Sequence, residues 1–350
     1  MGLQQPFSET FSIMPMTDER WISFLNGNPR ANIFHHPAWS QLLAECYGFT
    51  PAVCTLCDSK GIVLAGLPFM KVQSWMTGYR WISLPFTDHC MSVCDDTYKR
   101  SLLIDGLLSQ SLAQGIDQVE LRGEPHSHPA FRPTEEYLWH VLPLDQDFSK
   151  VTCRFKTGPQ RNVKTALKRG VRVTWGKSPE DLKNFYQLHL ETRRRQGVPV
   201  QPERFFQLIG QFLFNAGFGS ILQAYKDGKV IAALILLNYG QTMTFKYGAS
   251  DKVSLNLRPN DLLLWTAIQW GCQHGFRFFD MGRTDIDNAG LRSFKQGWGA
   301  DELPLTYSAT SPSKKTMATG HLADLMKPII QRAPLWVCRA AGELLYKYAA

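Results

Sequence analysis

The chain has 350 residues, of which 44% are hydrophobic and 12% aromatic. This composition argues against a disordered protein, and the length predicts two domains of about 150 residues each. The longest apolar run, at 230–237, is far shorter than the roughly 20 residues that a membrane-spanning helix needs. The N-terminus lacks the basic and apolar segments of a secretory signal, so the sequence predicts a cytoplasmic protein.

The formal net charge of +8 is concentrated in one stretch, because residues 151–200 carry 12 Lys and Arg against 3 Asp and Glu. Within it, Arg161, Lys164, Lys168 and Arg172 recur every three to four residues, which places them on one helix face. One interpretation is a docking surface for a phosphate-bearing substrate. The other is a solvated face, and the sequence leaves both open.

The two halves of the chain follow the same plan. Each has two strands joined by a tight turn, then a third strand, an amphipathic helix that closes on a glycine, and a strand ending in a polar turn. We therefore predict a duplicated α+β fold with mainly antiparallel sheets flanked by helices. The predicted domains are 1–150 and 151–310, followed by 311–350 as a linker and a basic amphipathic tail.

Several cysteines invite a metal-site interpretation. Cys54, Cys57, Cys90 and Cys94 lie near His89 in the sequence. However, Cys54 and Cys57 fall in a predicted strand, where positions three apart point to opposite faces. We therefore predict buried reduced thiols and no metal site.

The segment 276–300 resembles the floor of a polar pocket. A hydrophobic strand leads into Asp280, Gly282 and Arg283, and a lone Lys295 follows Phe294 among glycines. A partly buried lysine would supply positive charge where negative charge develops in a reaction. The alternative is that Lys295 is an ordinary surface lysine.

Two further residues are candidates for substrate binding. Arg195 is the last of three arginines at a predicted helix C-terminus, where one or two of them would simply complement the helix dipole. We select Arg195 as a carboxylate or phosphate clamp. Tyr247, at a strand end before a glycine, either reaches into a cleft or packs on a half-buried strand face.

The order of these motifs resembles the FemAB/FemX aminoacyltransferases, which build the peptide cross-bridge of bacterial peptidoglycan. The resemblance covers residues 20–307 and is strongest in RRRQGVP, DGKVIAALI, KYGAS, RPNDLLLW, FFDMGRT and LRSFKQGWGA. It implies two tandem acetyltransferase-like (GNAT) domains, with the active site in the second. It also implies that Lys295, in the Phe294-Lys295 pair, stabilises the oxyanion of the transferring acyl group. Arg195 and Tyr247 would then hold a phosphate-bearing acceptor.

The chain departs from the family at several points. Val198-Pro199 stands where cross-bridge enzymes tend to carry an aromatic residue, and a long charged coiled-coil insertion is missing. The acetyl-CoA loop of ordinary acetyltransferases is not cleanly present either. The C-terminal tail looks more like that of a subgroup encoded with exopolysaccharide export and exosortase systems.

We therefore expect an N-acyltransferase of the aminoacyl type that forms an amide bond on a UDP- or lipid-linked envelope precursor of peptidoglycan or exopolysaccharide. The activated acyl donor is a co-substrate, either aminoacyl-tRNA or acyl-CoA, and no resident cofactor is expected. Asp280 is a candidate proton relay, and Arg283 would organise the pocket floor. Arg161 and Lys164 would help to dock the acceptor.

Two alternatives stay open. One is acetyl-CoA-dependent N-acetylation of an exopolysaccharide sugar. The other is a non-catalytic envelope-assembly factor that contacts the inner face of the plasma membrane through its basic tail. For the tail itself, the alternative is a helix packed on the protein's own body.

Overall fold

The computed structural model describes residues 9–74, 78–124, 128–311 and 326–346. The chain divides into two compact units. Residues up to 136 form the first unit together with the segment that begins at 305, and residues 137–304 form the second together with the C-terminal helices. The predicted domains 1–150 and 151–310 follow the sequence repeat, whereas the compact units follow contacts, and the two divisions differ at two strands.

The first unit is built on a sheet in the order β1-β2-β3-β4-β5, in which only the β4–β5 pair is parallel. Its C-terminal addition, residues 307–309, pairs antiparallel with β5. The elements are β1 Thr10–Met14, α1 Glu19–Leu25, α2 Pro37–Tyr47, β2 Thr50–Cys57, β3 Val63–Ser74, β4 Gly78–Ile82, α3 Thr97–Ala113 and β5 Gln118–Arg122.

The second unit repeats the plan with the strand order β6-β11-β10-β9-β8-β7, in which only the β10–β11 pair is parallel. Residues 326–332 are helical as well. The elements are β6 Arg132–Pro143, α4 Phe148–Thr152, α5 Thr157–Lys168, β7 Arg172–Gly176, α6 Pro179–Gln196, α7 Glu203–Ile209, β8 Gly219–Lys226, β9 Lys229–Tyr239, β10 Thr242–Ser250, α8 Pro259–Gln273, β11 Phe278–Asp285, α9 Ala289–Gly297, β12 Asp301–Ala309 and α10 Leu335–Leu345.

The predicted duplication is visible in the topology. In each unit two antiparallel strands and a third strand precede a helix, and the strand after the helix pairs parallel with the third. A parallel pair needs such a crossover helix. The predicted α+β class is confirmed.

Local sequence explains the helix ends that bound the site region. Ser178 and Asp181 form a reciprocal capping box at the start of α6, with Pro179 at the first helical position. The helix ends at Gly197, whose φ of 72° is the left-handed conformation that glycine adopts without strain. The side chain of Asn288 caps α9 by accepting the N–H of Leu291.

The second unit has one extensive hydrophobic core. It is filled by apolar residues of the central strands and of α5 and α8, with Phe279 and Trp298 fully buried. At about 25 cal/mol per Å² of buried apolar surface, such a core is the main source of stability for the elements that carry the polar residues described below. None of the described helices is long and apolar enough to span a bilayer.

Candidate active site

The parallel strands β10 and β11 stay paired over only a short distance. Three residue pairs join them, and the last is Thr244 with Asp280. In β10 a bulge follows at once, between Phe245 and Tyr247 in the register with β9. The strands therefore separate beyond Thr244 and Asp280, a point that we call the fork.

A second bulge shapes the β11 side of the fork. The register of β11 against β6 shifts between Asp280 and Arg283, and Gly282 within the bulge has a φ of 69°. One carboxylate oxygen of Asp280, Oδ1, accepts the Gly282 N–H at 2.8 Å and the Trp139 indole N–H at 2.8 Å. Because Asp280 is only 1% exposed, these two hydrogen bonds fix the bulge from a buried position.

Lys295 approaches the same bulge from α9. Its Nζ donates to the carbonyl oxygens of Gly282 and Arg283, each at 3.0 Å, and the residue is only 4% exposed. The surface-lysine alternative is therefore wrong. Phe294, the preceding residue, packs against the hydrophobic core of the second unit and so helps to hold α9 in place.

A partly buried polar network that the sequence analysis missed lies beside Lys295. The carboxylate of Glu302 accepts from His140 Nε2 at 3.1 Å, from two nitrogens of Arg292 at 3.1 and 2.8 Å, and from Gln296 at 3.2 Å. Arg292 and Gln296 flank Lys295 on α9. Glu302 therefore ties the helix that carries the lysine to β6, which carries His140.

His140 is neutral in this network at pH 7. Burial, together with the nearby positive charge of Lys295, lowers its pKa below the usual value of 6.5. Its other nitrogen, Nδ1, lies 3.3 Å from the hydroxyl of Thr284. The pKa of Glu302 is lowered as well, chiefly by the hydrogen bonds from Arg292.

Arg283 and Tyr137 form a stacked pair at the edge of the bulge. The guanidinium carbon of Arg283 lies 4.1 Å from the ring centroid of Tyr137, within the range of a cation–π contact. Arg283 is half-buried in this position. Arg283 therefore lies next to Gly282, and its backbone carbonyl accepts from Lys295, while its role in a pocket floor stays a prediction.

Arg195 and Tyr247 both lie in the region where α6 packs against β10. Arg195 donates to the carbonyl oxygen of Ser250 at 3.2 Å. The Tyr247 ring packs edge-on against the rings of His189 and Phe206, with centroids 5.8 and 5.5 Å apart. Both candidates thus lie along the half of β10 that follows the fork.

Arg161 and Lys164 differ from the residues above in their exposure to solvent. Both side chains are exposed on α5, while Val163 and Ala166 on the same helix are buried in the core. Arg172, which was predicted on the same helix face, lies in β7 instead, because α5 ends at Lys168.

The parallel strands β4 and β5 of the first unit do not separate in the same way. Beyond Ile82 and Glu120, the chain after β4 keeps bonding to β5: the N–H of Ser83 donates to Glu120 O, and the N–H of Cys90 donates to Arg122 O, both at 2.9 Å. Glu120, which like Asp280 is the last residue of its strand in the parallel register, forms an ion pair with Arg122 at 2.8 Å. Because these bonds continue past the paired strands, the first unit has no fork at this position, which favours a supporting role for it.

The cysteine cluster of the first unit contains buried thiols. Cys54 and Cys90 are fully buried, and burial raises the pKa of both thiols, which keeps them protonated. Within the described ranges, no group of three or more His, Cys, Asp or Glu side chains is arranged to hold a metal ion.

Comparison with known proteins gives one domain match and two relatives. Residues 155–296 match the family described as an acetyltransferase (GNAT) domain. A UDP-N-acetylmuramoylpentapeptide-lysine N(6)-alanyltransferase of Weissella viridescens is 27% identical over 36% of this chain, and the match spans only 37% of that relative. A lipid II:glycine glycyltransferase of Staphylococcus haemolyticus is 19% identical over 82% of this chain and 89% of its own length.

Solved structures agree with these matches at the level of the fold. The crystal structure of FemX superposes with a TM-score of 0.67 at 16% identity, over 90% of this chain and all of FemX. A tandem GNAT protein from the clavulanic acid biosynthesis pathway gives a TM-score of 0.52 at 11% identity, over 88% of this chain and all of that protein. The chain therefore has the fold of FemX and of tandem GNAT proteins, which confirms the predicted fold class and agrees with the family resemblance.

Proposed function

We propose that this protein is an N-acyltransferase of the aminoacyl type, which forms an amide bond on a precursor of the cell envelope. The observation that carries the proposal is the buried ammonium of Lys295 at the Gly282 bulge, beside the fork. Two relatives, named as an alanyltransferase acting on a muramoylpentapeptide and as a lipid II glycyltransferase, support the same chemistry.

In this mechanism an amine of the acceptor attacks the carbonyl carbon of an activated acyl ester. The carbonyl oxygen becomes an oxyanion in the tetrahedral intermediate, and Lys295 stabilises it. The amide forms when the ester oxygen leaves, and Asp280 serves as the candidate relay for the proton that the amine loses. A preorganised donor of this kind lowers the activation free energy by about 3–4 kcal/mol.

The acceptor carries phosphate, as a UDP- or lipid-linked precursor does. Arg195 and Tyr247 form the clamp for that phosphate, because both lie where β10 leaves the fork. Arg283 adds a second cation beside the bulge. The exposed Arg161 and Lys164 contribute to docking by long-range attraction.

The activated donor is a co-substrate, and no resident cofactor takes part in the proposed reaction. Aminoacyl-tRNA is the donor that we favour, since the names of both relatives specify transfer of an amino acid. Acyl-CoA is the alternative, because the matched domain is described as an acetyltransferase. That donor would make the protein an N-acetyltransferase of an exopolysaccharide sugar.

We further propose that the protein works in the cytoplasm and touches the inner face of the membrane through its C-terminal helices. Helix α10 packs on the second unit, since Cys338 and Gly342 are buried, yet Trp336 and Leu344 are 73% and 69% exposed. Exposed Trp and Leu beside the exposed Arg332 suit an interfacial helix. Unchanged sedimentation with anionic vesicles after Trp336→Ala and Leu344→Ala would remove this part of the proposal.

The reaction is tested by offering the purified protein three donors with one acceptor. The donors are alanyl-tRNA, glycyl-tRNA and acetyl-CoA, the acceptor is UDP-linked muropeptide, and the amide product is detected by mass spectrometry. We expect product from an aminoacyl-tRNA in the wild type and a large loss in Lys295→Ala. Product from acetyl-CoA alone would point to the N-acetyltransferase instead.

A further inference from the structure

The hydroxyl of Thr244 is an unpaired polar group in the interior of the second unit. Thr244 is only 1% exposed, and its Oγ1 has no hydrogen-bond partner among the described residues. Buried hydroxyls are almost always paired, because leaving one unpaired costs free energy. A valine would fill the same space without an unpaired hydroxyl. The threonine is therefore better explained if its hydroxyl binds a group from outside the chain.

The position of Thr244 links this hydroxyl to the fork. It is the last residue of β10 that pairs with β11, and its partner in the register is Asp280. Side chains of directly paired residues project from the same face of a sheet, about 4.8 Å apart. The side chains of Thr244 and Asp280 are therefore neighbours on one face of the sheet, at the point where the two strands begin to separate.

We propose that the Thr244 hydroxyl hydrogen-bonds the α-amino group of the acyl donor and selects an aminoacyl donor over one without an amino group. This inference rests on the proposed function and goes beyond it, since it names the residue that recognises the donor. The α-amino group is the feature that distinguishes an aminoacyl ester from a simple acyl ester.

The chemistry of the fork favours an amino group over the alternatives. A hydroxyl oxygen accepts a hydrogen bond from an ammonium, and the adjacent carboxylate attracts its positive charge. An acetyl or propionyl group would leave the hydroxyl unpaired and place a methyl group beside a carboxylate. Sites built to bond a polar group reject analogues that lack it far more strongly than apolar pockets reject a missing methyl group.

The test measures binding of a matched pair of non-transferable donor mimics by calorimetry. The two probes are adenosines that carry alanine or propionate in amide linkage at the 3′ position, and they differ only in the amino group. Wild type, Thr244→Val and Thr244→Ser are compared. Valine removes the hydroxyl at nearly constant shape, whereas serine keeps it.

We expect the wild type and Thr244→Ser to bind the alanyl mimic more tightly than the propionyl mimic, and Thr244→Val to reduce that ratio roughly tenfold or more. Thr244→Val should unfold at the same temperature as wild type or higher, because it removes an unpaired buried hydroxyl. Equal binding of both mimics by the wild type, binding of neither, or an undiminished ratio in Thr244→Val would overturn the inference.

The outcome is separable from that of the proposed function. If transfer depends on Lys295 but Thr244 does not affect the preference for an aminoacyl donor, the donor-recognition role is wrong and the proposed transferase activity still stands. Transfer that does not need Lys295 would sink the mechanism even if the preference were present.

Discussion

Asp280 and Lys295 hold the same residue, Gly282, from the two ends of its backbone. The Asp280 carboxylate accepts the Gly282 N–H at 2.8 Å, and the Lys295 ammonium donates to the Gly282 carbonyl at 3.0 Å. The Asp280 carboxylate and the Lys295 ammonium are thus coupled through the backbone of one glycine in the bulge. The position of the lysine therefore depends on the shape of the bulge.

Gly282→Ala should disturb this arrangement. At a φ of 69° an alanine is strained by about 1–2 kcal/mol, so the free energy of unfolding should fall by that amount. Activity should fall with it, because both hydrogen bonds to residue 282 shift. Gly290→Ala is the control, since Gly290 lies in α9 without a positive φ or a close neighbour and should tolerate a methyl group. Equal effects of the two changes in denaturant unfolding would contradict this account.

Glu302→Gln should weaken the positioning of Lys295 without removing it. The change takes away the negative charge that binds Arg292 and leaves only an amide oxygen as acceptor, so the link between α9 and β6 weakens. We expect kcat to fall roughly tenfold with little change in the KM of the acceptor, because the lost effect is one of orientation. Asp301→Asn, at the exposed neighbouring position, serves as the control. A rise in KM at constant kcat would argue for direct substrate binding by Glu302.

Mild acid should destabilise the protein through its buried histidines. Burial lowers the pKa of His189 to about 3, against 6.5 for an unperturbed histidine. The unfolded chain therefore binds a proton as pH falls below 6.5 while the native His189 does not, so stability is lost from about pH 6.5 downward. One such histidine costs about 2 kcal/mol between pH 7 and pH 5.

The measurement is denaturant unfolding at pH 7 and pH 5. His189→Gln should show a smaller loss than wild type, because glutamine does not titrate and can still bond to Gln201, which lies 2.9 Å from His189 Nε2. His35, whose pKa burial lowers to about 4, should continue to contribute in that variant. An identical pH dependence in the two proteins would refute the assignment.

Arg195→Ala should weaken binding of a phosphate-bearing acceptor. Arg195 is held by the Ser250 carbonyl at the end of β10, where its guanidinium can meet a phosphate. We expect the acceptor KM to rise about tenfold, with a smaller effect on kcat. Arg194→Ala is the matched control, since the neighbouring arginine points in a different direction on α6. A similar rise in KM from both variants would indicate general electrostatics.

Local patterns in the sequence were sufficient to predict much of this structure. The tight turn predicted in each half is present, at 58–61 and at 226–229, between paired antiparallel strands. Lys295 stood out because it follows an aromatic residue and precedes glycines. Its burial could not be read from that pattern, since it depends on the two carbonyls of the β11 bulge.

Contacts distant in sequence account for what was missed. His140 lies beside Thr284 only because β6 pairs with β11 across more than 130 residues, and Glu302 contacts His140 from β12. The same pairing makes the compact units differ from the predicted boundary near residue 150. Thr244 carried no signal at all, because an unpaired hydroxyl is a property of its surroundings and not of the residue.

The most direct test of the central claim is the single-turnover rate of amide formation from aminoacyl-tRNA in wild type, Lys295→Ala and the exposed-lysine control Lys177→Ala. If Lys295 stabilises the oxyanion, the rate in Lys295→Ala should fall by about 10² to 10³ while thermal unfolding stays cooperative and Lys177→Ala matches wild type. A rate within about threefold of wild type in a folded Lys295→Ala protein would contradict the account.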